Sequence, residues 1–111
     1  MTIQKAVRNN IEAIRFTVEE GEKVVGWAYL YLIYNSQHEE PYGLLEDVYV
    51  DPAFRSKGLG TELVKAVIEE ARVRKCYKLI GTSRHSRTEV HEWYKKIGFA
   101  DYGLEFRMNL K

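Results

Sequence analysis

Val50-Asp51-Pro52-Ala53-Phe54-Arg55-Ser56-Lys57-Gly58-Leu59-Gly60-Thr61 joins two segments of different periodicity. Before it, Leu44 to Val50 reads Leu-Leu-Glu-Asp-Val-Tyr-Val, a β-rich run that Asp51-Pro52 ends. After it, Leu59, Leu63, Val64, Val67, Ile68 and Ala71 recur at spacings of three and four, with Glu62, Lys65, Glu69, Glu70 and Arg72 on the remaining positions. The segment is a strand-to-helix connection. Glycines at 58 and 60 allow backbone to approach a ligand closely. The unpaired amides of the first helical turn point out of the helix end, and the helix dipole favours an anion there. Arg55 and Lys57 add positive charge, so the loop suits a pyrophosphate. The two common phosphate loops do not match: no Gly-x-x-x-x-Gly-Lys-Ser/Thr run exists, and a Gly-x-Gly-x-x-Gly fingerprint would need glycine where Leu63 stands. A bare Gly-x-Gly would read as turn geometry alone; the basic residues and the Asp-Pro strand ending weigh against that reading.

Toward the N-terminus, residues 11 to 18 alternate apolar and polar, clearest in Ile14, Phe16 and Val18. Glu20-Gly21-Glu22 is a turn signal, and Val24 to Tyr34 is a long β-rich run, so the two strands form an antiparallel hairpin. Gly26 within the second strand marks a bulge. Asn35 to Gly43 is a polar loop. Toward the C-terminus, Tyr77 to Thr82 is a short strand. Ser86 opens a second helix, with Ser86-x-x-Glu89 at capping-box spacing, a stripe of Val90, Trp93, Tyr94 and Ile97, and a stop at Gly98. Phe99 to Tyr102 and Leu104 to Leu110 are expected to be two last strands. The order β-β-β-α-β-α-β-β predicts an α+β fold, one mixed and mostly antiparallel sheet with flanking helices, in a single domain over residues 1–111.

With 17 basic and 16 acidic residues the net charge is +1, which exerts no general pull toward nucleic acid or membrane. No apolar run reaches the roughly 18 residues of a membrane span, and Met1 to Asn10 lacks the apolar stretch of a signal peptide. Cys76, the only cysteine, excludes an internal disulfide and reads as a small core residue. His38, His85 and His91 have no metal-site spacing, so no metal is expected. A cytoplasmic location is the simplest expectation.

Arg55-x-x-Gly58-x-Gly60 resembles the Arg/Gln-x-x-Gly-x-Gly/Ala signature of the GNAT superfamily of acyl-coenzyme A N-acyltransferases. Leu45 to Pro52 is similar to that family's fourth strand and its exit, and Trp93-Tyr94-Lys95-Lys96-Ile97-Gly98-Phe99 to its Phe-Tyr-x-x-x-Gly-Phe segment. The two signatures lie in the family's order, and the resemblance covers roughly Ile11 to Leu110. It implies a V-shaped opening between the family's fourth and fifth strands. Backbone groups of Val48 and Val50 would pair with the pantetheine of acetyl-coenzyme A (acetyl-CoA), and the amides of Ser56, Lys57, Gly58, Leu59, Gly60 and Thr61 would hold the pyrophosphate with Arg55. It also implies direct attack of an acceptor amine on the thioester.

Tyr94 matches the family's leaving-group tyrosine, a phenol able to protonate a thiolate; its place on the apolar stripe alone would make it core. Glu46 matches a position that serves as base, and Asp47 is the neighbouring acceptor-binding candidate. Successive strand residues face opposite sides, so one of the two faces the cleft unless the strand bulges. Without a bulge Glu46 shares a face with Val48 and Val50, and Asp47 with Leu45 and Tyr49. For each carboxylate the competing reading is an ion pair with Arg84, Arg87 or Lys78, because a buried charge needs a partner.

The pattern departs from the family's in two places. Arg87 occupies a position, seven residues before the tyrosine, where many members carry a cofactor-contacting asparagine, so Arg84 or Arg87 is expected to meet cofactor or acceptor. About ten residues precede the first hairpin, where members usually have a strand and two helices. The acceptor side is therefore expected to be open or covered by a second copy, giving a homodimer. Trp27, Tyr29 and Tyr31 fall on one face of the second strand and Ala28, Leu30 and Leu32 on the other, and with too few helices to cover both sides of the sheet one face is expected to stay partly open, which points the same way. Two other functions compete with N-acetyl transfer: a non-catalytic acyl-CoA-binding or regulatory module, and a nucleic-acid-binding domain using Arg84, Arg87 and tyrosines, which the neutral charge disfavours. A polyamine, an amino sugar, an antibiotic, a lysine side chain and a protein N-terminus are all compatible acceptors.

Overall fold

The computed structural model describes all 111 residues. Strand β1 (Glu12–Glu20) and strand β2 (Lys23–Ile33) form the expected hairpin. Its two-residue loop puts Gly21 at φ 62°, a left-handed position that tight hairpins require and glycine takes without strain. The ladder shifts between Val18 and Glu19, where Val25 is the extra residue, so the bulge expected at Gly26 lies beside it. A β-carbon on Gly26 would sit 3.2 Å from the Tyr49 carbonyl oxygen, which explains the small residue there. Strand β3 (Tyr42–Val50) pairs antiparallel with β2, and β4 (Leu79–Gly81) pairs parallel with β3, giving a mixed sheet in the order β1-β2-β3-β4.

Helix α1 (Leu59–Val73) crosses β1, β2 and β3 on one face. Leu63, Val64, Val67 and Ala71 meet Ala28, Leu30 and Leu32 of β2 and Leu45 of β3 in a core whose members are at most 5% exposed. Each leucine or valine among them contributes about 1.5–3 kcal/mol when fully buried. Ile14, Phe16 and Val18, opposite Leu30, Ala28 and Gly26, close the same face from β1. Trp27, Tyr29 and Tyr31 point to the other face and stay half-buried, as their alternation predicts, with the Arg15 guanidinium 5.3 Å and 5.9 Å from the Trp27 and Tyr29 rings.

Helix α2 (Thr88–Ile97) lays Trp93, Tyr94 and Ile97 against the core and stops at Gly98, φ 128°. It starts one residue later than the capping box implied, with the N-cap at Arg87 instead of Ser86. No side chain caps it, and Glu89 instead accepts from Arg87 Nε at 3.2 Å. The ion pair holds the Glu89 side chain that the box would have used. The two strands expected over Phe99–Tyr102 and Leu104–Leu110 do not form. Phe99 is held by its amide donating to the Tyr94 carbonyl at 3.0 Å, but beyond it no backbone group finds a strand partner in the molecule. With residues 1–11 and 98–111 outside any helix or strand, the radius of gyration is 16.2 Å, against about 13 Å for a compact chain of this length.

Candidate active site

Pairing between β3 and β4 ends after three residue pairs, Gly43 with Leu79, Leu44 with Ile80 and Leu45 with Gly81. Strand β3 runs on to Val50 while the chain after Gly81 turns away toward Arg87. The two diverge into a cleft of about 880 Å³, within the usual range for a ligand site.

One wall is the end of β3. Its ladder with β2 pairs Tyr29 with Glu46 and Trp27 with Tyr49, so Ala28 faces two residues, Asp47 and Val48. This is a β-bulge, and Asp47 absorbs it at φ 52°, a left-handed backbone costly for a residue with a β-carbon. The bulge overturns the unbulged face assignment. Glu46 shares a face with Leu44 and Tyr49, while Val48 and Val50 turn to the core side with Leu45. Glu46, Asp47, Val48 and Val50 consequently all line the cleft. Asp47 Oδ2 accepts from the Trp27 indole Nε1 at 3.1 Å. Neither carboxylate pairs with Arg84, Arg87 or Lys78; the Lys78 ammonium instead lies over the Tyr42 and Tyr77 rings.

The floor is the loop from Asp51 to Thr61. The Asp51 carboxylate accepts from the Ala53 amide at 3.0 Å and lies 3.4 Å from Lys23 Nζ; the amide bond first, then the lysine, hold its pKa below the ordinary value. Arg55 turns back, donating from Nε to the Val50 carbonyl at 2.8 Å and resting over the Tyr49 ring. Ser56 and Gly58 both adopt left-handed backbone, at φ 66° and 80°. Gly58 is the helix N-cap and has no side chain to satisfy the turn above it. The first helical bond runs from the Glu62 amide to the Gly58 carbonyl at 3.0 Å, so the amides of Leu59, Gly60 and Thr61 precede the ladder at the cleft. Arg55, Ser56, Gly58, Leu59, Gly60 and Thr61 line the cleft; Lys57 does not, its ammonium lying 5.3 Å from the Phe54 ring centroid. That cation–π contact draws the flexible side chain away from the opening.

The far wall is β4's exit and α2. A β-carbon on Gly81 would lie 3.3 Å from Tyr94 Cζ, so the absence of a side chain lets the phenol settle against the strand end. The Tyr94 hydroxyl donates to the Thr82 carbonyl across 3.4 Å. Burial, and then the negative charge of Glu46 across the cleft, raise its pKa above the ordinary 10.0. The phenol thus stays protonated at neutral pH, facing a carboxylate without a cationic partner. Arg87 lines the cleft while paired to Glu89.

Several lining residues escaped the sequence reading. Thr82 and Ser83 follow from β4 ending at Gly81 rather than at Thr82, and Glu105 and Arg107 from a tail that forms no strand. Trp93 read as core, yet its indole Nε1 donates to the Thr61 hydroxyl at 2.9 Å, tying α2 to the first turn of α1. His91 is half-buried. Its Nε2 lies 2.8 Å from the Arg84 carbonyl, which can only accept, so Nε2 carries the hydrogen and holds the loop before α2.

The acetyltransferase (GNAT) family model matches residues 3–99. Over 68 residues the chain is 37% identical to a glucosamine 6-phosphate N-acetyltransferase of Trypanosoma brucei brucei, an alignment covering 61% of this chain and 44% of that protein. Over 77 residues it is 35% identical to a thialysine N-epsilon-acetyltransferase of Mus musculus, covering 69% and 41%. The chain thus spans less than half the length of these curated relatives. Among solved structures, a Trypanosoma brucei acetyltransferase superimposes with a TM-score of 0.76 at 31% identity, over 90% of this chain and 69% of that one. With the splayed strands, the glycine loop and the family match extending across most of its length, this chain belongs to the GNAT acetyltransferase family.

Proposed function

We propose that the chain is an acetyl-CoA-dependent N-acetyltransferase that moves an acetyl group to a primary amine by direct attack in a ternary complex. The observation that carries this reading is the convergence, on one cleft, of the α1 amides, the protonated Tyr94 hydroxyl and the unpaired Glu46 carboxylate. Acetyl-CoA, when bound, supplies the thioester acyl group and a thiolate leaving group. The donor set fits it: Leu59, Gly60 and Thr61 offer unladdered amides to phosphate oxygens, and the bulged end of β3 offers backbone at Val48 and Val50 to an extended amide chain. Tyr94 holds a proton for a departing sulfur. Glu46 receives one from an incoming ammonium, directly or through water. Asp47, fixed by Trp27, attracts the cationic acceptor, and Arg87 lies where it can reach cofactor or acceptor phosphate.

We include in the proposal a single catalytic domain over residues 1–111, a cytoplasmic setting and a homodimer. The half-buried Trp27, Tyr29 and Tyr31 face and the row of apolar residues exposed after Phe99 support the homodimer. Titration of acetyl-CoA into ¹⁵N-labelled protein tests the cleft. The Leu59, Gly60 and Thr61 amides are expected to shift most, and shifts confined to other surfaces would overturn the assignment. Cofactor binding without acetyl transfer to any amine would instead favour a non-catalytic acyl-CoA-binding module.

A further inference from the structure

Trp27 engages a cation and an anion at once. The Arg15 guanidinium lies over the indole, 5.3 Å from its centroid, and 5.9 Å from that of Tyr29. The indole Nε1 donates to Asp47 Oδ2 at 3.1 Å. An aromatic ring attracts a cation to its face and, where it carries an N–H, an acceptor to that edge. Tyr49 stacks on the indole with centroids 4.6 Å apart and steadies it from the next strand. The Arg15 side chain enters no ion pair, and neither does Asp47. The indole holds each charge separately, so neither neutralises the other.

Strand pairing sets these groups in line with the cleft. Arg15 faces Tyr29, and Tyr29 faces Glu46, so the three form a row across β1, β2 and β3 on one face of the sheet. Glu46 and Asp47 line the cleft, whereas Arg15 and Trp27 lie outside its lining. The aromatic face thus leads from two carboxylates at the cleft to a lone guanidinium beyond it. Ring contacts occupy the flat side of that guanidinium. They leave its N–H edge free, and this edge grips a carboxylate or phosphate through two parallel hydrogen bonds.

We propose that Arg15, Trp27 and Asp47 form a two-pole acceptor subsite, which selects an amine that also carries an anionic carboxylate or phosphate group. The inference rests on the acetyltransferase reading above and names the class of acceptor for it. The ammonium lies by Glu46 and Asp47, the body of the acceptor passes along Trp27, and its anion meets the free edge of Arg15. Arg15 is then a specificity-determining residue. Trp27 is a positioning residue that acts through both charges.

Matched acceptors that differ by one anionic group test the subsite: lysine against cadaverine for a carboxylate, and glucosamine 6-phosphate against glucosamine for a phosphate. With coenzyme A release as the readout, the anion-bearing member of at least one pair should have the higher kcat/KM. The expected ratio is about five- to tenfold, mostly in KM, the effect of one charge-assisted contact at an exposed site. Arg15→Gln should bring that ratio close to one, and Arg15→Lys should keep part of it, with KM for acetyl-CoA little changed. A ratio untouched by Arg15→Gln but lost in Arg87→Gln would assign the anion to the far wall and overturn the proposal. A wild-type preference, in both pairs, for the member lacking the anion would overturn it too. Titration of the same four amines into ¹⁵N-labelled protein reads the subsite without turnover. The Trp27 Nε1 and Arg15 Nε signals should shift more with the anion-bearing amines than with their counterparts. That result in a protein that transfers no acetyl group would leave the subsite and overturn the transfer. Equal or absent shifts in both pairs overturn the subsite whether or not acetyl is transferred.

Discussion

The indole nitrogen of Trp93 donates a hydrogen bond to the hydroxyl of Thr61 at 2.9 Å, joining the helix that carries Tyr94 to the turn that offers its amides to the cleft. One bond thereby couples the two halves of the site. Thr61→Val keeps the shape and strands the half-buried N–H, at a cost of about 1–3 kcal/mol. Chemical denaturation should show that loss. A cycle with Trp93→Phe should return a coupling of about 0.5–1.5 kcal/mol; additive effects would mean that the contact carries no energy.

Gly60 separates ligand binding from folding. A β-carbon there would lie 3.6 Å from Trp93 and 3.8 Å from Val50, ordinary contact distances, and the backbone is not left-handed. Gly60→Ala should fold with nearly unchanged melting temperature. Gly60→Val, with more bulk in the cleft, should bind acetyl-CoA more weakly by calorimetry. Parental affinity in the valine variant would remove the loop from the binding site. Gly58→Ala differs, because φ 80° at that position costs a residue with a β-carbon about 1–2 kcal/mol whatever binds.

Tyr94 gives a signed pH prediction. Burial and Glu46 raise its pKa above 10.0. The folded chain therefore keeps this proton where the unfolded chain releases it. The stability linked to the group is fully present below pH 10 and falls as pH rises through the folded value. Glu46→Gln removes the negative charge and should move the Tyr94 titration toward lower pH, as read from the ring-carbon shift of ¹³C-labelled tyrosine. An unmoved titration would show that the carboxylate does not face the phenol.

Gly81 tests how tightly the phenol must be placed. Gly81→Ala puts a methyl 3.3 Å from Tyr94 Cζ, so ring or strand must give by a few tenths of an ångström. We expect kcat to fall while KM for acetyl-CoA changes little. An unaltered kcat, with chemistry rate-limiting, would argue against close positioning of the hydroxyl.

The parts legible in the sequence were those set by local pattern. Alternation separated Leu30 and Leu32 from Tyr29 and Tyr31 onto opposite faces, and the α1 stripe gathered Leu63, Val64 and Val67, which the core buries together with Leu30 and Leu32. The Gly58-x-Gly60 loop fell where β3 meets α1. What stayed hidden depends on contacts between distant segments. The bulge that brings both Glu46 and Asp47 to the cleft is a mismatch between two strands, written in neither alone. The swing of Lys57 onto Phe54 is one conformational choice among many for a flexible side chain. The alternation in Leu104 to Leu110 suggests a strand but says nothing of whether a partner strand exists within the same molecule, and no strand forms there.

The central claim, acetyl transfer in the β3–β4 cleft, is tested most directly by coenzyme A release on mixing acetyl-CoA with a panel of primary amines. Polyamines, amino sugars, aminoglycosides, lysine and peptide N-termini should be included, for wild type and Tyr94→Phe. The account predicts amine-dependent thiol release by wild type with at least one acceptor class, reduced about 10²–10⁴-fold in Tyr94→Phe, with acetyl-CoA affinity retained in both. Tight acetyl-CoA binding with no amine-dependent release, or release by Tyr94→Phe at the wild-type rate when chemistry limits turnover, would contradict it.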